Sequence, residues 1–277
     1  MKSASVVACV VFAVGCTANR PVAGPEKNAK KKAPVYFRVD PATAANVRGV
    51  VRFEGKAPPR KRISMDAEAD CAKLHPEPVF EERVRVGKQN GLANAFVYVQ
   101  KGLEGKTFEP TQQAVVIEQK GCQFIPRVTG IRTGQTLRVK NSDPVSHNIH
   151  PVPKNNRDWN QQQPPQAPDL QRRFGFPEVM IPVKCNIHAW MKSYIGVLEH
   201  PYFAITNSDG EFTVNGLPPG EYVLAAWHEE TGETQQPFTV SAAETKTVDF
   251  VLGLKRSVSA TGEVAARPSG PPIQPKP

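Results

Sequence analysis

The stretch Cys185-Asn-Ile-His188-Ala-Trp-Met191 decides the fold, because it brings a thiolate, an imidazole and a thioether into one short segment. Apolar and β-branched runs at residues 179–183 and 194–198 predict a strand on each side of it. A tight loop between two strands can turn all three side chains toward one point. Sulfur ligands combined with imidazole suit copper in both of its common oxidation states. The stretch therefore predicts a copper-binding loop in a β protein.

A second imidazole is offered by His147, in a polar segment that follows a predicted strand at residues 136–139. One thiolate and two imidazoles with a weak axial thioether form an electron-transfer site, and they leave no ligand position for a substrate. We therefore expect a protein that is not an enzyme and that has no small-molecule substrate at the metal. The expected ligands of its single Cu(I)/Cu(II) ion are His147, Cys185, His188 and Met191.

These motifs resemble the cupredoxin family, and its amicyanin-like and plastocyanin-like members in particular. The short C-x2-H-x2-M loop, the Gly134-Gln-Thr136 strand start and the pair His147-Asn148 carry the resemblance, which extends over residues 112–198. It implies a Greek-key β-sandwich with a type 1 (blue) copper site and the ligand roles given above. It also implies that Asn148 ties the two ligand loops together by hydrogen bonds, and that electrons leave through a solvent-facing edge of His188.

Other interpretations of the same residues remain open. Copper storage, delivery or sensing would need the ligands but no electron transfer, although a chain with only 4 Met and 6 His lacks the metal-rich tracts of a chaperone. Zinc could occupy the ligands, but a single thiolate and a Met fit zinc poorly. A Cys–His nucleophile is the enzymatic alternative. It lacks an evident Asn or Asp to orient the histidine, and it would leave Met191 without a role.

The remainder of the chain predicts an all-β protein. Short β-branched and aromatic runs are separated by Gly, Pro, Asn and Asp, and no long stretch has a helical period. Residues 67–74 could form one or two helical turns. Residues 151–173 are polar and rich in Gln, Asn and Pro, and are expected to form a long loop. The predicted strands are 47–53, 95–99, 114–118, 136–139, 179–183, 194–198, 211–214, 222–226 and 247–252.

A second domain is expected from residue 199 to residue 253. Its turn-to-strand motifs, Thr206-Asn-Ser-Asp-Gly-Glu-Phe and Gly216-Leu-Pro-Pro-Gly-Glu-Tyr, resemble the carboxypeptidase regulatory-like family of small, transthyretin-like β-sandwiches. The Gly-x-Val strand that usually opens this family is missing there, but a similar one occurs at Gly49-Val-Val-Arg-Phe. We therefore expect the N-terminal β segment 46–110 to belong to this sandwich, with the cupredoxin domain 111–198 inserted into it. Simple tandem domains are the alternative.

The N-terminus predicts export. Lys2 precedes an apolar run at residues 6–14, which is too short to span a bilayer and is typical of a secretory signal. Its end, Ala13-Val-Gly-Cys16, resembles a bacterial lipobox, so we expect a signal peptide at 1–16, lipidation of Cys16 and a membrane anchor. An ordinary signal peptide cut nearby is the alternative, and both place the protein in the periplasm or cell envelope. Two further segments complete the prediction: a flexible tether at 17–45 and a disordered tail at 254–277.

Three cysteines remain after Cys9 leaves with the signal peptide and Cys16 takes lipid. In an oxidising compartment, three thiols suggest one disulfide and one thiol with another task. Because Cys185 lies among metal ligands, Cys71 and Cys122 are the expected disulfide pair.

Charge adds a prediction about partners. The chain has 35 Lys+Arg against 26 Asp+Glu, for a formal net charge of +9. Much of the excess lies in short runs such as 30–32 and 60–62, without a nucleic-acid-binding motif, so nucleic acid is not an expected partner. The expected partners are other redox proteins, and acidic ones would suit the positive charge.

Overall fold

The computed structural model describes residues 34–254, and within them the regular secondary structure is almost entirely β. This confirms the all-β prediction. The only α-helix in that range is α1 (Ala69–Lys73), within the predicted 67–74, and a 3-10 turn spans Lys88–Asn90. The strands are β1 (Ala45–Glu54), β2 (Phe96–Lys101), β3 (Val115–Gln119), β4 (Phe124–Ile125), β5 (Val128–Arg132), β6 (Leu137–Asn141), β7 (His147–Pro151), β8 (Gln161–Gln163), β9 (Leu170–Arg172), β10 (Glu178–Lys184), β11 (Lys192–Leu198), β12 (Phe203–Ile205), β13 (Glu211–Leu217), β14 (Gly220–His228), β15 (Gly232–Val240), β16 (Thr245–Thr247) and β17 (Phe250–Gly253).

Strands β3–β11 form two sheets, which we call the central sandwich. One sheet has the order β5-β11-β10-β7-β8 and the other the order β4-β3-β6-β9. Most neighbours are antiparallel, but β3 pairs with β6 and β5 with β11 in parallel. The core contains Ile117, Ile149 and Ile195, none of which is exposed. Such alternating apolar strands stabilise the sandwich by burying one face of each sheet.

Strands β1, β2 and β12–β17 form a second pair of sheets, which we call the flanking sandwich. In one sheet β1 lies between β13 and β16 and also pairs with β17; the other has the order β12-β2-β14-β15. Strands that precede the central sandwich in the chain thus pair with strands that follow it. The core of the flanking sandwich is apolar and includes Val97, Leu224 and Phe250.

The middle of β1 shows why a glycine is needed at position 49. Val47, Val51 and Phe53 are buried on one face of the strand, as a period of two requires. Gly49 lies on the same face, and a Cβ atom there would come 1.9 Å from the carbonyl oxygen of Val248. Only glycine therefore lets the segment between β16 and β17 approach β1 so closely.

The two sandwiches contact each other through a small apolar cluster and a buried ion pair. The cluster contains Phe96 and Tyr98 of the flanking sandwich and Met180 of the central one. Arg127, before β5, donates from Nη2 to Oε2 of Glu229 over 2.7 Å, and both side chains are largely buried. A buried arginine needs such a partner, so this pair fixes how the two sandwiches meet.

The segment 151–173, expected as a long loop, contains β8 and β9, which pair with β7 and β6. In β8 a glutamine, Gln163, takes the place of an apolar residue on the buried face. Gln163 is only 1 % exposed; its Oε1 accepts a hydrogen bond from Gln119 over 2.8 Å, and its Nε2 donates to the Val139 carbonyl over 3.2 Å. A buried amide with partners on both ends holds an extended segment without an apolar pattern.

The predicted signal peptide, Cys16, most of the predicted tether and nearly all of the predicted tail lie outside the described residues. The last part of the predicted tether is described and is ordered, since Phe37 donates its amide to the Thr107 carbonyl over 2.7 Å and its ring packs on Phe108. Within residues 34–254 no helix has the length and apolar character needed to cross a membrane.

Candidate metal centre

The predicted ligands lie in two loops at one edge of the central sandwich. His147 is the first residue of β7, and Cys185 directly follows β10. These strands are antiparallel neighbours, with Lys184 of β10 opposite His150 of β7. The pairing therefore brings the loop before β7 beside the loop between β10 and β11, although the two are far apart in sequence.

Three of the four predicted ligands converge. One ligand atom from each of His147, Cys185 and His188 lies within 4.8 Å of the other two. The two histidine Nδ1 atoms are 2.9 Å apart, and Cys185 Sγ is 3.9 Å from His188 Nδ1. All three side chains are buried, with exposures of 0, 3 and 2 %. A thiolate and two imidazoles so arranged can bind one soft or borderline metal ion.

The loop that carries Cys185 is closed by its own backbone. The Cys185 amide donates to the Met191 carbonyl over 3.2 Å, and the Met191 amide donates to the His188 carbonyl over 3.0 Å. Met191 is 1 % exposed and belongs to the same buried cluster as Cys185. The structure thus buries the fourth predicted ligand beside the other three, and its axial role stays a prediction.

Two backbone amides point at the sulfur of Cys185. The amides of Asn148 and His188 lie 3.5 and 3.4 Å from Sγ. Burial alone would raise the pKa of Cys185, but the hydrogen bonds from His147 and from these amides outweigh it and lower the pKa below its ordinary value. The site therefore favours the thiolate, the form that binds metals.

The Asn148 side chain connects the start of β7 to the segment that follows β10. Its Oδ1 accepts a hydrogen bond from the amide of Asn186, the residue after Cys185, and its Nδ2 donates to Asn160. Its backbone amide points at Cys185 as well. One side chain thus fixes the distance between β7 and the ligand loop.

Asp143 contacts the candidate site but was not predicted from the sequence. Its Oδ2 is 2.8 Å from His147 Nε2, and the carboxylate also accepts the amides of Gly121 (2.6 Å) and Cys122 (2.8 Å). Nε2 of His147 therefore carries the proton and leaves the Nδ1 lone pair for a metal. The signal in the sequence was a carboxylate four residues before the ligand histidine, but its partners at 121 and 122 could not be foreseen.

Hydrogen bonds also shift the pKa values of Asp143 and His147. Burial alone would raise the pKa of Asp143, but its bonds from His147 and from the two amides lower it below the ordinary value. Burial alone would lower the pKa of His147, but Asp143 and Cys185 raise it above the ordinary value. The Asp143 carboxylate is thus ionised and holds the imidazole in one orientation.

Cys71 and Cys122 form a disulfide, with Cα atoms 5.8 Å apart. Both residues are buried, and Cys71 Sγ is 3.5 Å from Nε2 of His188. The disulfide thus contacts the outer nitrogen of one candidate ligand. Through the Cys122 amide and Asp143 it is also joined to the other ligand, His147.

The expectation of a solvent-facing edge on His188 is wrong. His188 is 2 % exposed, because Cys71 and the start of α1 cover its outer nitrogen, with Glu68 Oε2 4.0 Å away. Burial and the neighbouring charge of His147 lower the pKa of His188. The cover comes from a segment 117 residues earlier in the chain, so the motif itself gave no sign of it.

Comparisons with known proteins found one matching family model and several similar solved structures. Residues 197–253 match the family model of the carboxypeptidase regulatory-like domain. None of the curated proteins compared with the chain is similar to it in sequence.

Several solved structures are similar to about a third of the chain. One is a copper-containing nitrite reductase from Thermus scotoductus SA-01, with 22% identity, a TM-score of 0.30, and coverage of 36% of this chain and 25% of that chain. Another is the reduced state of a proline-to-phenylalanine mutant of amicyanin, with 15% identity, a TM-score of 0.28 and coverage of 36% and 97%. A third is a purple cupredoxin from Nitrosopumilus maritimus, with 19% identity, a TM-score of 0.26 and coverage of 30% and 97%. This chain spans only a quarter of the length of the nitrite reductase.

Proposed function

We propose that the protein binds one copper ion through His147, Cys185 and His188, with Met191 as a weak axial ligand, and carries single electrons between redox proteins outside the cytoplasm. The observation that carries this proposal is the convergence of two imidazole Nδ1 atoms and one thiolate in a buried site. When bound, copper supplies the one-electron couple between Cu(I) and Cu(II).

The surrounding residues support electron transfer rather than catalysis. Asp143 orients His147, and Asn148 fixes the spacing of the two loops. A site held by such bonds changes little when its charge changes by one, which keeps the barrier to electron transfer low. The burial of all three convergent ligands keeps water and substrates out.

Copper addition to the purified metal-free chain tests the ligand set. We expect an intense visible thiolate-to-copper band, one copper per chain, and loss of the band in Cys185→Ser and His147→Gln. His150→Gln is the matched control, since His150 is on the same strand but its ring contacts Asp158 and Asn186 and none of the four proposed ligands. A colourless copper complex, or an equal loss of the band in His150→Gln, would contradict the ligand assignment.

Voltammetry separates an electron carrier from a storage or sensing module. A carrier gives a reversible one-electron wave, whereas a module that only stores copper releases the ion or responds sluggishly when its oxidation state changes. A band without a reversible wave would therefore favour storage.

A thiol nucleophile is a second candidate, because the carboxylate of Asp143, the imidazole of His147 and the thiol of Cys185 lie next to one another in space, as in a catalytic triad. The 3 % exposure of Cys185 counts against it, since a substrate must reach the sulfur. Iodoacetamide treatment of the native metal-free protein is the test. We expect Cys185 to stay unmodified until the protein unfolds, and rapid alkylation would favour the nucleophile.

The proposal includes export, because an oxidising compartment suits both the disulfide and the copper chemistry. The lipobox-like end at Cys16 suggests attachment to a membrane. Mass spectrometry of the mature chain tests this: we expect an N-terminal diacylglyceryl cysteine at position 16, and an unmodified N-terminus would favour an ordinary signal peptide.

A further inference from the structure

The buried position of His188 raises the question of where electrons reach the site. The outer nitrogen of His188 faces the Cys71 sulfur and Glu68, not solvent. With 2 % of its surface exposed, this ring offers almost no contact to a partner protein. The contact must therefore be made by a neighbouring group.

Trp190 has the position that such a group needs. Its ring centroid lies 5.2 Å from that of His188, with 39° between the ring planes. Its Nε1 donates to the Cys122 carbonyl over 2.9 Å, which fixes the ring. Trp190 is partly exposed and, with Arg127 and Lys192, lines a cavity at the surface.

The other residues of the ligand loop offer no comparable route. Ile187 is 44 % exposed, but its side chain is aliphatic and has no π electrons to couple to a ligand. Met191 is buried, at 1 % exposure, and Ala189 has only a methyl group. Trp190 is thus the aromatic side chain of this loop that contacts a ligand ring and also reaches the surface.

We infer that electrons enter and leave the metal site through the indole ring of Trp190 and from there through His188. This inference rests on the proposed electron-carrier function. On entry an external donor loses one electron and the bound ion gains one; on exit the ion loses one electron and an external acceptor gains one, and no bond forms or breaks in either step. Trp190 is neither oxidised nor reduced overall, because its ring only couples the two centres.

Two substitutions separate the effect of the aromatic ring of Trp190 from the effect of its hydrogen bond. Trp190→Leu and Trp190→Phe both lose the bond to the Cys122 carbonyl, but only Trp190→Phe keeps an aromatic ring against His188. Ile187→Ala is the control for a change on the same loop surface. Each copper-loaded variant is mixed with ferrocyanide as the one-electron donor, and the rate of band loss is recorded with the spectrum and the reduction potential.

We expect Trp190→Leu to slow electron transfer by about tenfold, equivalent to ~1.4 kcal/mol of activation free energy, with spectrum and potential unchanged. Trp190→Phe should recover most of the rate, and Ile187→Ala should match the unmodified protein. Equal rates in Trp190→Leu and the unmodified protein, or an equal loss in Ile187→Ala, would overturn the inference. If the unmodified protein shows no copper band or no reversible wave, the proposed function itself fails.

A second measurement needs no copper. Diethyl pyrocarbonate modifies accessible histidines, and mass spectrometry locates the product. In the metal-free protein with its disulfide intact, we expect His150, whose side chain is 17% exposed, to react while His188 stays unmodified. Rapid modification of His188 would show that its edge is accessible, and a separate route through Trp190 would then be unnecessary.

Discussion

The two sandwiches differ in what they bury. The flanking sandwich encloses an apolar cluster around Phe250 and Leu224, whereas the central sandwich also encloses the polar side chains of Asp143, His147 and Asn148. Buried polar groups cost free energy unless each finds a partner, and in the central sandwich each of these three does. We therefore expect the flanking sandwich to act as a scaffold and the central one to hold the candidate metal site.

The largest expected effect is on the scaffold. Phe250→Ala removes a side chain that has no exposed surface and should destabilise the chain by about 4 kcal/mol, because it leaves a cavity. Denaturant unfolding of the full chain should show the same loss with and without copper, and the visible band of the folded protein should not change.

Val251→Ala is the matched control on the same strand, since Val251 is 57% exposed. Its effect should stay within about 0.5 kcal/mol. A shifted copper band in Phe250→Ala would contradict the expectation that the flanking sandwich is only a scaffold.

Buried histidines also differ between the two sandwiches. His147 in the central sandwich has a contact at both ring nitrogens, whereas His228 in the flanking sandwich has a hydrogen-bond partner at only one. His228 is 1 % exposed; its Nδ1 accepts the Glu230 amide over 3.3 Å, and its Nε2 has no hydrogen-bond partner among the described residues. Burial lowers the pKa of His228 to about 4, below its ordinary value of 6.5. The folded state thus resists protonation of this ring.

The sign of the pH dependence follows from that lowered pKa. Stability that depends on neutral His228 is complete above pH 6.5 and is lost as the pH falls from 6.5 toward about 4, by about 3 kcal/mol in total. His228→Gln should remove this part of the loss when unfolding of the metal-free chain is compared at pH 7.5 and 4.5. Parallel pH curves for both proteins would show that folding does not lower the pKa of His228.

Within the central sandwich, Asp143 should contribute more to stability and copper affinity than Asp158 does. Asp143→Asn disrupts a carboxylate that accepts hydrogen bonds from His147 and two amides, and should destabilise the metal-free chain by about 2 kcal/mol. Copper affinity should also fall, by about 10- to 100-fold. Chemical denaturation and a competing chelator measure the two effects.

Asp158→Asn is the control, because Asp158 contacts His150 in the same way but its side chain is 57% exposed. An exposed pair contributes little, so this change should stay within about 0.5 kcal/mol. Equal effects of the two substitutions would mean that burial and the two amides add nothing to the Asp143–His147 pair.

The strands and the convergent ligands could be predicted because their signals are local. A run such as 194–198 identifies β11, and a Cys, a His and a Met at fixed spacing are rare enough to stand out. The role of Asp143 depends on amides at 121 and 122, and the cover over His188 comes from Cys71. Such contacts are set by how distant segments pack, so a motif cannot reveal them.

Strands β8 and β9 were missed for a related reason. Pattern-based prediction expects apolar residues on the buried face of a strand. The buried residue of β8 is Gln163, which satisfies its amide through Gln119 and the Val139 carbonyl. Only the position of those partners, which lie on the other sheet, makes a polar strand stable there.

The smallest expected effect concerns Asn148, which the sequence did identify. Asn148→Ala loses the bond to Asn160 and the bond from the Asn186 amide, and should cost about 1 kcal/mol. Because this bond links the two ligand loops, the Asn186 amide should exchange its hydrogen about fivefold faster in the metal-free protein. Asn156→Ala is the control, since Asn156 bonds Phe176 and Glu178 away from the ligands. It should cost a similar free energy and leave the exchange of Asn186 unchanged; faster exchange in both variants would mean that the loop responds to overall stability and not to Asn148.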